Sequence, residues 1–210
     1  MRITVFIADD HTLIREGLCS LLAAHANIQV VGTAASGRDA VREVLRLQPR
    51  VVLMDISMPE LNGIEATRQL AERCPSSRVV ILSMHATIEH YYQAMRAGAW
   101  GYLLKEAATD EVAAAIRSVH LGRRFLSVKV ADKYRPISDG DSPIETLSRR
   151  EREILQLVAE GHHSAKIATL ISISRKSVDT YRCRLMQKLG MHGLCDMVKF
   201  AIRHGLTSPE

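Results

Sequence analysis

Short apolar runs punctuate the first 122 residues, at Ile3–Ala8, Ile28–Val31, Val51–Met54, Val79–Leu82 and Tyr102–Leu104. Each is too short for a helix and rich in Val and Ile, the make-up of strands buried on both faces of a parallel sheet. Between them the apolar spacing becomes helical, at Leu13/Ile14/Leu18/Leu21/Leu22, Ala40/Val41/Val44/Leu45, Ile64/Ala66/Thr67/Leu70, Tyr91/Met95 and Val112/Ile116/Val119. Ser36 opens the second of these helices, and Thr109 caps the fifth ahead of Asp110-Glu111. Five strand–helix units in series predict a doubly wound, five-stranded parallel α/β domain over residues 1–122, with its site at the carboxyl ends of the strands.

Residues 123–144 break the pattern, with Tyr-Arg-Pro at 134–136 and turn formers from Ser138 to Pro143, and read as a linker. Residues 145–210 then carry helical periodicity alone, a small all-α domain. Ser148 and Glu151 have capping-box spacing and open a helix running to Gly161. Ser164 starts a short helix carrying Ile167, Ala168, Leu170 and Ile171, Ser174 caps a longer one ending at Gly190, and Met197, Phe200 and Ala201 mark the apolar stripe of the last. A short helix, a tight turn and a longer helix make a helix-turn-helix candidate. At about 100° per residue, Val178, Tyr181, Leu185 and Leu189 share one face of the longer helix. Lys176, Thr180, Cys183 and Gln187 share the other, flanked by Asp179 and Arg184. That polar face suits a major groove, although a solvated face is the plainer reading of any single charge, and Asp179 suits it better than groove binding unless a base donor meets it.

Composition narrows the class. The 210 residues are 47% hydrophobic and 24% charged, a globular balance that excludes a disordered or collagen-like chain. No apolar run approaches the roughly 18 residues that cross a bilayer, and the start reads straight into a strand, so a cytoplasmic protein without a membrane role is expected. Cys19, Cys74, Cys183 and Cys195 form no Cys-x-x-Cys pair, and reduced thiols are the expectation. The adjacent His162-His163 has no partner at ligand spacing. The formal charge of +5 lies mostly at the end of the chain, where residues 145–210 hold 11 Lys/Arg against 7 Asp/Glu, a pointer to a polyanion partner.

Three carboxylates fall where strands end: Asp9 and Asp10 after the first, Asp55 after the third. Neighbouring strands bring them together, and a hard cation such as Mg²⁺ is the simple way to keep crowded carboxylates ionised. Capping of the first helix by Asp9-Asp10 is the plainer alternative. Ser83 ends the fourth strand and Lys105 follows the fifth, adding a hydroxyl and a cation at the same rim. A metal seat, a candidate nucleophile, a donor and a positive charge suit phosphoryl transfer to a carboxylate.

At these residues the chain resembles the receiver domain of two-component response regulators, through Ala8-Asp9-Asp10-His11, Leu53–Pro59, Ile81-Leu82-Ser83-Met84 and Ala97–Lys105. The resemblance implies a flavodoxin-like fold and an Asp55 that accepts a phosphoryl group from a sensor histidine kinase. It also implies Mg²⁺ on Asp10, Asp55 and the Ser57 carbonyl, with Asp9 reaching the metal through water. Ser83 would hydrogen-bond the phosphoryl oxygen, Lys105 would pair with it, and Tyr102 would change rotamer on activation. Two positions depart from the pattern: Glu106 replaces a common Pro, leaving the peptide after Lys105 without a cis preference, and Trp100 replaces a common Arg or Lys.

Residues 147–206 resemble the LuxR-type helix-turn-helix domain, through the segments at 147–155, 166–168, 177–182 and 186–190, and the pairing marks the NarL/FixJ class. That likeness puts Asp179, Thr180 and Cys183 at base-reading positions and makes Lys176, Arg182, Arg184 and Lys188 phosphate or groove contacts. Ser164-Ala165-Lys166 replaces the usual Asn-Lys-Glu, and Ser172 a common turn glycine. A phosphorylation-dependent transcription factor follows, binding a two-fold repeated DNA site as a homodimer through its final helix around Met197 and Phe200, with RNA polymerase as a further candidate partner. A receiver serving as a phosphate-independent dimerisation or partner module is the alternative. A phosphohydrolase would need a second acid two residues after Asp55, where Ser57 stands.

Overall fold

The Val- and Ile-rich runs become strands β1 (Ile3–Ala8), β2 (Ile28–Ala34), β3 (Val51–Asp55), β4 (Arg78–Ser83) and β5 (Gly101–Leu104) of one parallel sheet in the computed structural model. The structure describes residues 2–84, 88–107, 109–127 and 143–207. The predicted linker lies mostly outside the described residues. Helices α1 (Thr12–Ala23), α2 (Gly37–Leu47), α3 (Gly63–Arg73), α4 (Ile88–Arg96) and α5 (Thr109–His120) alternate with the strands. Ser36 caps α2 by accepting from the Asp39 N–H, and Asn62 caps α3 by accepting from the Glu65 N–H. α5 begins at Thr109, whose capping role lies outside the described side chains.

Alternation along fully buried strands builds two cores. Val52 and Met54 of β3 join Phe6, Ile81 and Tyr102 in one, packed against Val41, Val44, Ile64, Leu70 and Ala94 of the helices on that face. Val51 and Leu53 join Val5, Ile7, Val80 and Leu103 in the other, under Leu22, Val112, Ile116 and Val119. The strand order β2-β1-β3-β4-β5-β6 reverses direction at β1, which places β1 and β3 side by side at a crevice beyond their carboxyl ends. The sixth strand, β6 (Phe125–Leu126), pairs with β5 and corrects the expected count of five. Its two residues are too few to show a period, so the sequence assigns them to the linker.

The chain divides into two units, Met1–Ile137 and Ser138–Glu210. In the second, a 3-10 turn (Pro143–Thr146) leads into α6 (Arg149–Ala159), α7 (Ser164–Leu170), α8 (Arg175–Leu189) and α9 (Leu194–Arg203). The Ser148–Glu151 capping box is formed in both directions. Ile154, Leu155, Ile167, Val178, Leu185 and Ala201 close the core.

One expectation holds in this unit and one changes. α7 starts at Ser164 as expected, and His163 caps it, its Nδ1 accepting the Lys166 N–H at 3.0 Å, while the Ser164 hydroxyl donates to Asp179 of α8. Met197 is 1% exposed inside the core and Phe200 packs against that core and the His204 ring, so the outward apolar positions of α9 are Leu194, Val198 and Ile202.

Ser172, at the turn between α7 and α8, holds φ 55°, a left-handed conformation that costs a residue with a Cβ. Replacing Ser172 by Gly therefore raises the stability of this unit by about 1 kcal/mol. Denaturant midpoints check this, and a lower midpoint for the variant contradicts it.

Candidate functional site

At the crevice, β1 delivers Asp9, β3 delivers Asp55, and the turn after β5 delivers Lys105. Asp9 is 0% exposed and the Asp55 side chain 3%, yet neither faces the interior alone. The Lys105 ammonium lies 2.8 Å from Asp9 Oδ2 and 2.9 Å from Asp55 Oδ2, a cation bridging two buried carboxylates. The Lys105 N–H donates to the Ser83 carbonyl at 2.8 Å, which locks the ends of β4 and β5 in register beneath the site. Buried Ser83, with Ser57, Ile56, Met84, His11 and His90, joins Asp55 and Lys105 around a cavity of about 50 Å³.

Asp10 sits outside this pair, partly exposed, with its Oδ1 2.8 Å from His11 Nδ1. Asp9, Asp10, His11 and Asp55 each turn one ligand atom into a space where those atoms lie within 4.8 Å of one another. The oxygens suit a hard divalent cation. Helix capping does not explain the acids: the N-cap of α1 is His11, with no side-chain cap bond, although its N–H donates to Asp9 Oδ1 at 2.9 Å. Arg15 also donates to the Asp9 carbonyl at 2.7 Å, anchoring the strand end from one turn into α1.

Burial pushes the Asp55 carboxyl up from 3.8 to about 6; the Lys105 ammonium opposes the rise, and Asp9 and Asp10 add to it. For Lys105, burial works against the charge, but Asp55 and Asp9 outweigh it and hold the ammonium above its ordinary value. Tyr102 is fully buried, its ring edge-on to Tyr91 at 5.8 Å. No peptide bond among the described residues is cis, the one after Lys105 included. Trp100 carries the Arg78 guanidinium 4.6 Å above its ring, a cation–π contact, and packs against the second core.

Sequence reading passes over three residues that shape this site. His11 lies in a quoted motif without a role, and its contact with Asp10 is a property of the fold. Gly63 donates to the Ile56 carbonyl at 2.9 Å, and a Cβ there would run into the Asp55 carbonyl oxygen. Gly37 stands in the same relation to the Leu61 carbonyl. A glycine opening a helix is an ordinary sequence signal, and only the close approach of backbones reveals the constraint.

In the second unit, α8 exposes Lys176, Asp179, Thr180, Cys183, Arg184 and Lys188, and half-buries Arg182. Arg175, Lys176, Asp179, Thr180 and Cys183 line an open depression. Several of the expected nucleic-acid contacts have duties within the fold. Arg182 Nη1 donates to Ser164 Oγ at 3.1 Å, and Lys188 Nζ pairs with Glu151 Oε2 at 3.2 Å. The Thr180 hydroxyl donates to the Lys176 carbonyl of its own helix. His162 and His163 gather no ligand set: His162 lies 3.7 Å from Glu160 and His163 is a helix cap. All four cysteines are free thiols.

Residues 5–117 match the response regulator receiver domain, and residues 145–201 match the bacterial regulatory proteins of the luxR family. The chain is 38% identical to the response regulator UvrY of Escherichia coli strain K12, over 99% of this chain and 97% of that protein. It is 37% identical to the response regulator GacA of Pseudomonas aeruginosa, over 98% of each. Among solved structures, the response regulator ChrA of a heme-sensing two-component system matches 98% of each chain at 33% identity with a TM-score of 0.55.

Two outcomes follow from the geometry. The unfolded chain releases the Asp55 proton near pH 4 and the folded one near pH 6, so the folded state loses stability as pH rises through that window. Asp55→Asn removes this loss, and in chelator its unfolding free energy at pH 7.5 exceeds that of the native chain by up to about 3 kcal/mol. The gain vanishes below about pH 4; a gain independent of pH contradicts the burial argument. Gly63→Ala displaces the Asp55 backbone and costs about 1–3 kcal/mol, read from the same melts.

Proposed function

The chain belongs to the two-component response regulators that join a receiver domain to a LuxR-type DNA-binding domain, and we propose that Asp55 is its phosphoacceptor and the exposed face of α8 its DNA reader. It is a transcription regulator rather than an enzyme. The observation that carries the proposal is the Lys105 ammonium, 2.9 Å from Asp55 Oδ2 beside a cavity that Ser83 also lines. A phosphoryl group on Asp55 adds negative charge where a buried cation already stands, and the Ser83 hydroxyl is placed to donate to it.

Asp10, Asp55 and the Ser57 carbonyl are the oxygen donors for Mg²⁺, with Asp9 behind them. Bound there, Mg²⁺ offsets charge on the phosphoryl oxygens. Lys105 holds Asp9 and Asp55 apart as ionised groups, and Ser83 and Tyr102 carry the change of charge into the fold as a two-state switch. A sensor histidine kinase supplies the phosphoryl group. Dimerisation uses Leu194, Val198 and Ile202, the outward positions of α9, on a two-fold DNA site with half-sites about ten base pairs apart. Arg184 and Lys176 are exposed cations of the reading helix and serve the DNA backbone; RNA polymerase is a further partner.

Incubation with labelled acetyl phosphate and Mg²⁺ labels the native chain and leaves Asp55→Ala unlabelled; persisting label in the variant sinks the assignment. Phosphorylation also tightens DNA binding and raises the oligomer mass, whereas equal affinity in phosphorylated protein and Asp55→Ala makes the receiver a phosphate-independent dimerisation module. Mg²⁺ at ten times its dissociation constant stabilises the native chain by about 1.4 kcal/mol, and Asp10→Asn forfeits that increment in a thermal melt.

A further inference from the structure

We propose that Asp179 selects a base bearing an exocyclic amine in the major groove, cytosine N4 or adenine N6, from an orientation fixed by Ser164 and Arg182. The inference rests on the DNA-reading role given to α8 and names what one position of it reads. Asp179 is 54% exposed at the flank of the polar face, one turn from Lys176 and from Cys183. A carboxylate so placed meets phosphate repulsion, and something must offset its charge and hold its direction.

The surrounding hydrogen bonds do both. Ser164, only 8% exposed, has one O–H to give, and its oxygen accepts from Arg182 Nη1 at 3.1 Å. A guanidinium cannot accept, so the Ser164 proton is left for Asp179 Oδ1, 2.7 Å away. The chain Arg182 to Ser164 to Asp179 therefore has one polarity and no alternative rotor state. Arg175 Nε stands 4.0 Å from the other oxygen, Oδ2, close enough to offset charge and too far to occupy it as a hydrogen-bond acceptor. Asp179 thus offers a directed, acceptor-only oxygen from the exposed face.

Acceptor-only is the discriminating property. In the major groove, cytosine and adenine present amines, whereas guanine O6/N7 and thymine O4 present acceptors that a carboxylate repels. The neighbouring groups differ in charge: the Thr180 hydroxyl gives its proton to the Lys176 carbonyl and is left a neutral acceptor, and Lys176 is a flexible cation, so Asp179 is the anionic acceptor of this face. Ser164 is a positioning residue here. Its departure from the asparagine usual at that place substitutes a single-donor hydroxyl for an amide, and that hydroxyl serves α8 while His163 caps α7.

The test is selection of bound duplexes from a randomised pool by the full chain, treated with acetyl phosphate and Mg²⁺. At one base pair per half-site the native chain favours cytosine or adenine on one strand by about tenfold. Asp179→Ala levels the preference at that base pair and leaves the others, and Asp179→Asn moves it to adenine, whose N6 and N7 an amide can engage together. Ser164→Ala weakens the same preference several-fold with an unchanged dependence on salt, since no phosphate contact is lost. Asp179 is exposed, so its variants keep the test open if Ser164→Ala unfolds. A preference unchanged at every base pair in Asp179→Ala, or a loss spread evenly over the site, overturns the inference and leaves DNA reading by α8 intact. Failure of the native chain to enrich any sequence overturns the DNA-reading role and the inference with it.

Discussion

The first unit depends on one ammonium. Asp9 and Asp55 end adjacent parallel strands, so the sheet itself forces their carboxylates together, and both are almost wholly out of water. Two buried like charges a few ångströms apart are untenable alone. Lys105 resolves this at 2.8 and 2.9 Å, and it can do so because its own N–H is tied to the Ser83 carbonyl at the end of the next strand. The rise in the Asp55 pKa shows the compensation to be incomplete: burial and the neighbouring acids still favour the neutral form. A site balanced in this way is sensitive to charge, because the cation that stabilises the cluster is also the group that stands 2.9 Å from Asp55 Oδ2.

Much of this arrangement was legible in the sequence because it follows from period and order. The runs at Ile3–Ala8 and Val51–Met54 read as strands, their ends name Asp9 and Asp55, and a doubly wound order brings them together without further information. What was not legible depends on approach in space. Gly63 looks like any residue opening a helix until the Asp55 carbonyl is seen against it, and β6 has two residues and hence no period. Ser164 reads from the sequence as the start of α7, which it is, but the engagement of its hydroxyl with Asp179 fifteen positions away depends on the fold. Met197 shows the same limit from the other side. An apolar stripe on a helix says that one face is covered and does not say by what, and here the cover is the helix's own core.

The second unit spends its polar side chains on two tasks that compete. Sixty-odd residues bury a modest core, so helix ends must be stabilised locally, and Lys188 reaches across to Glu151 where the Ser148 cap already converges. Burial would push the Glu151 carboxyl up, but the Ser148 and Lys188 donors outweigh it and hold it below its ordinary value, so the pair contributes to folding at neutral pH. Arg182 is likewise half-buried and engaged. The basic excess of this segment therefore overstates the charge free to meet a polyanion, and Lys176 and Arg184 carry more of that work than the count of cations suggests.

The two units solve opposite forms of one electrostatic problem. The receiver collects carboxylates and needs a single cation to make them tolerable, while helix α8 of the second unit presents cations and must justify a single carboxylate among them. In both, the odd charge is fixed by donors of known polarity: Lys105 by its backbone and two acids, Asp179 by the Ser164 hydroxyl that Arg182 orients. At Asp179 folding does not require the charge, since a neutral side chain would serve an exposed helix position as well, and at Lys105 it is required only by the two buried carboxylates beside it, whose own burial costs free energy. These charges are the physical reason to look for function at Lys105 and at Asp179 before the more numerous residues around them.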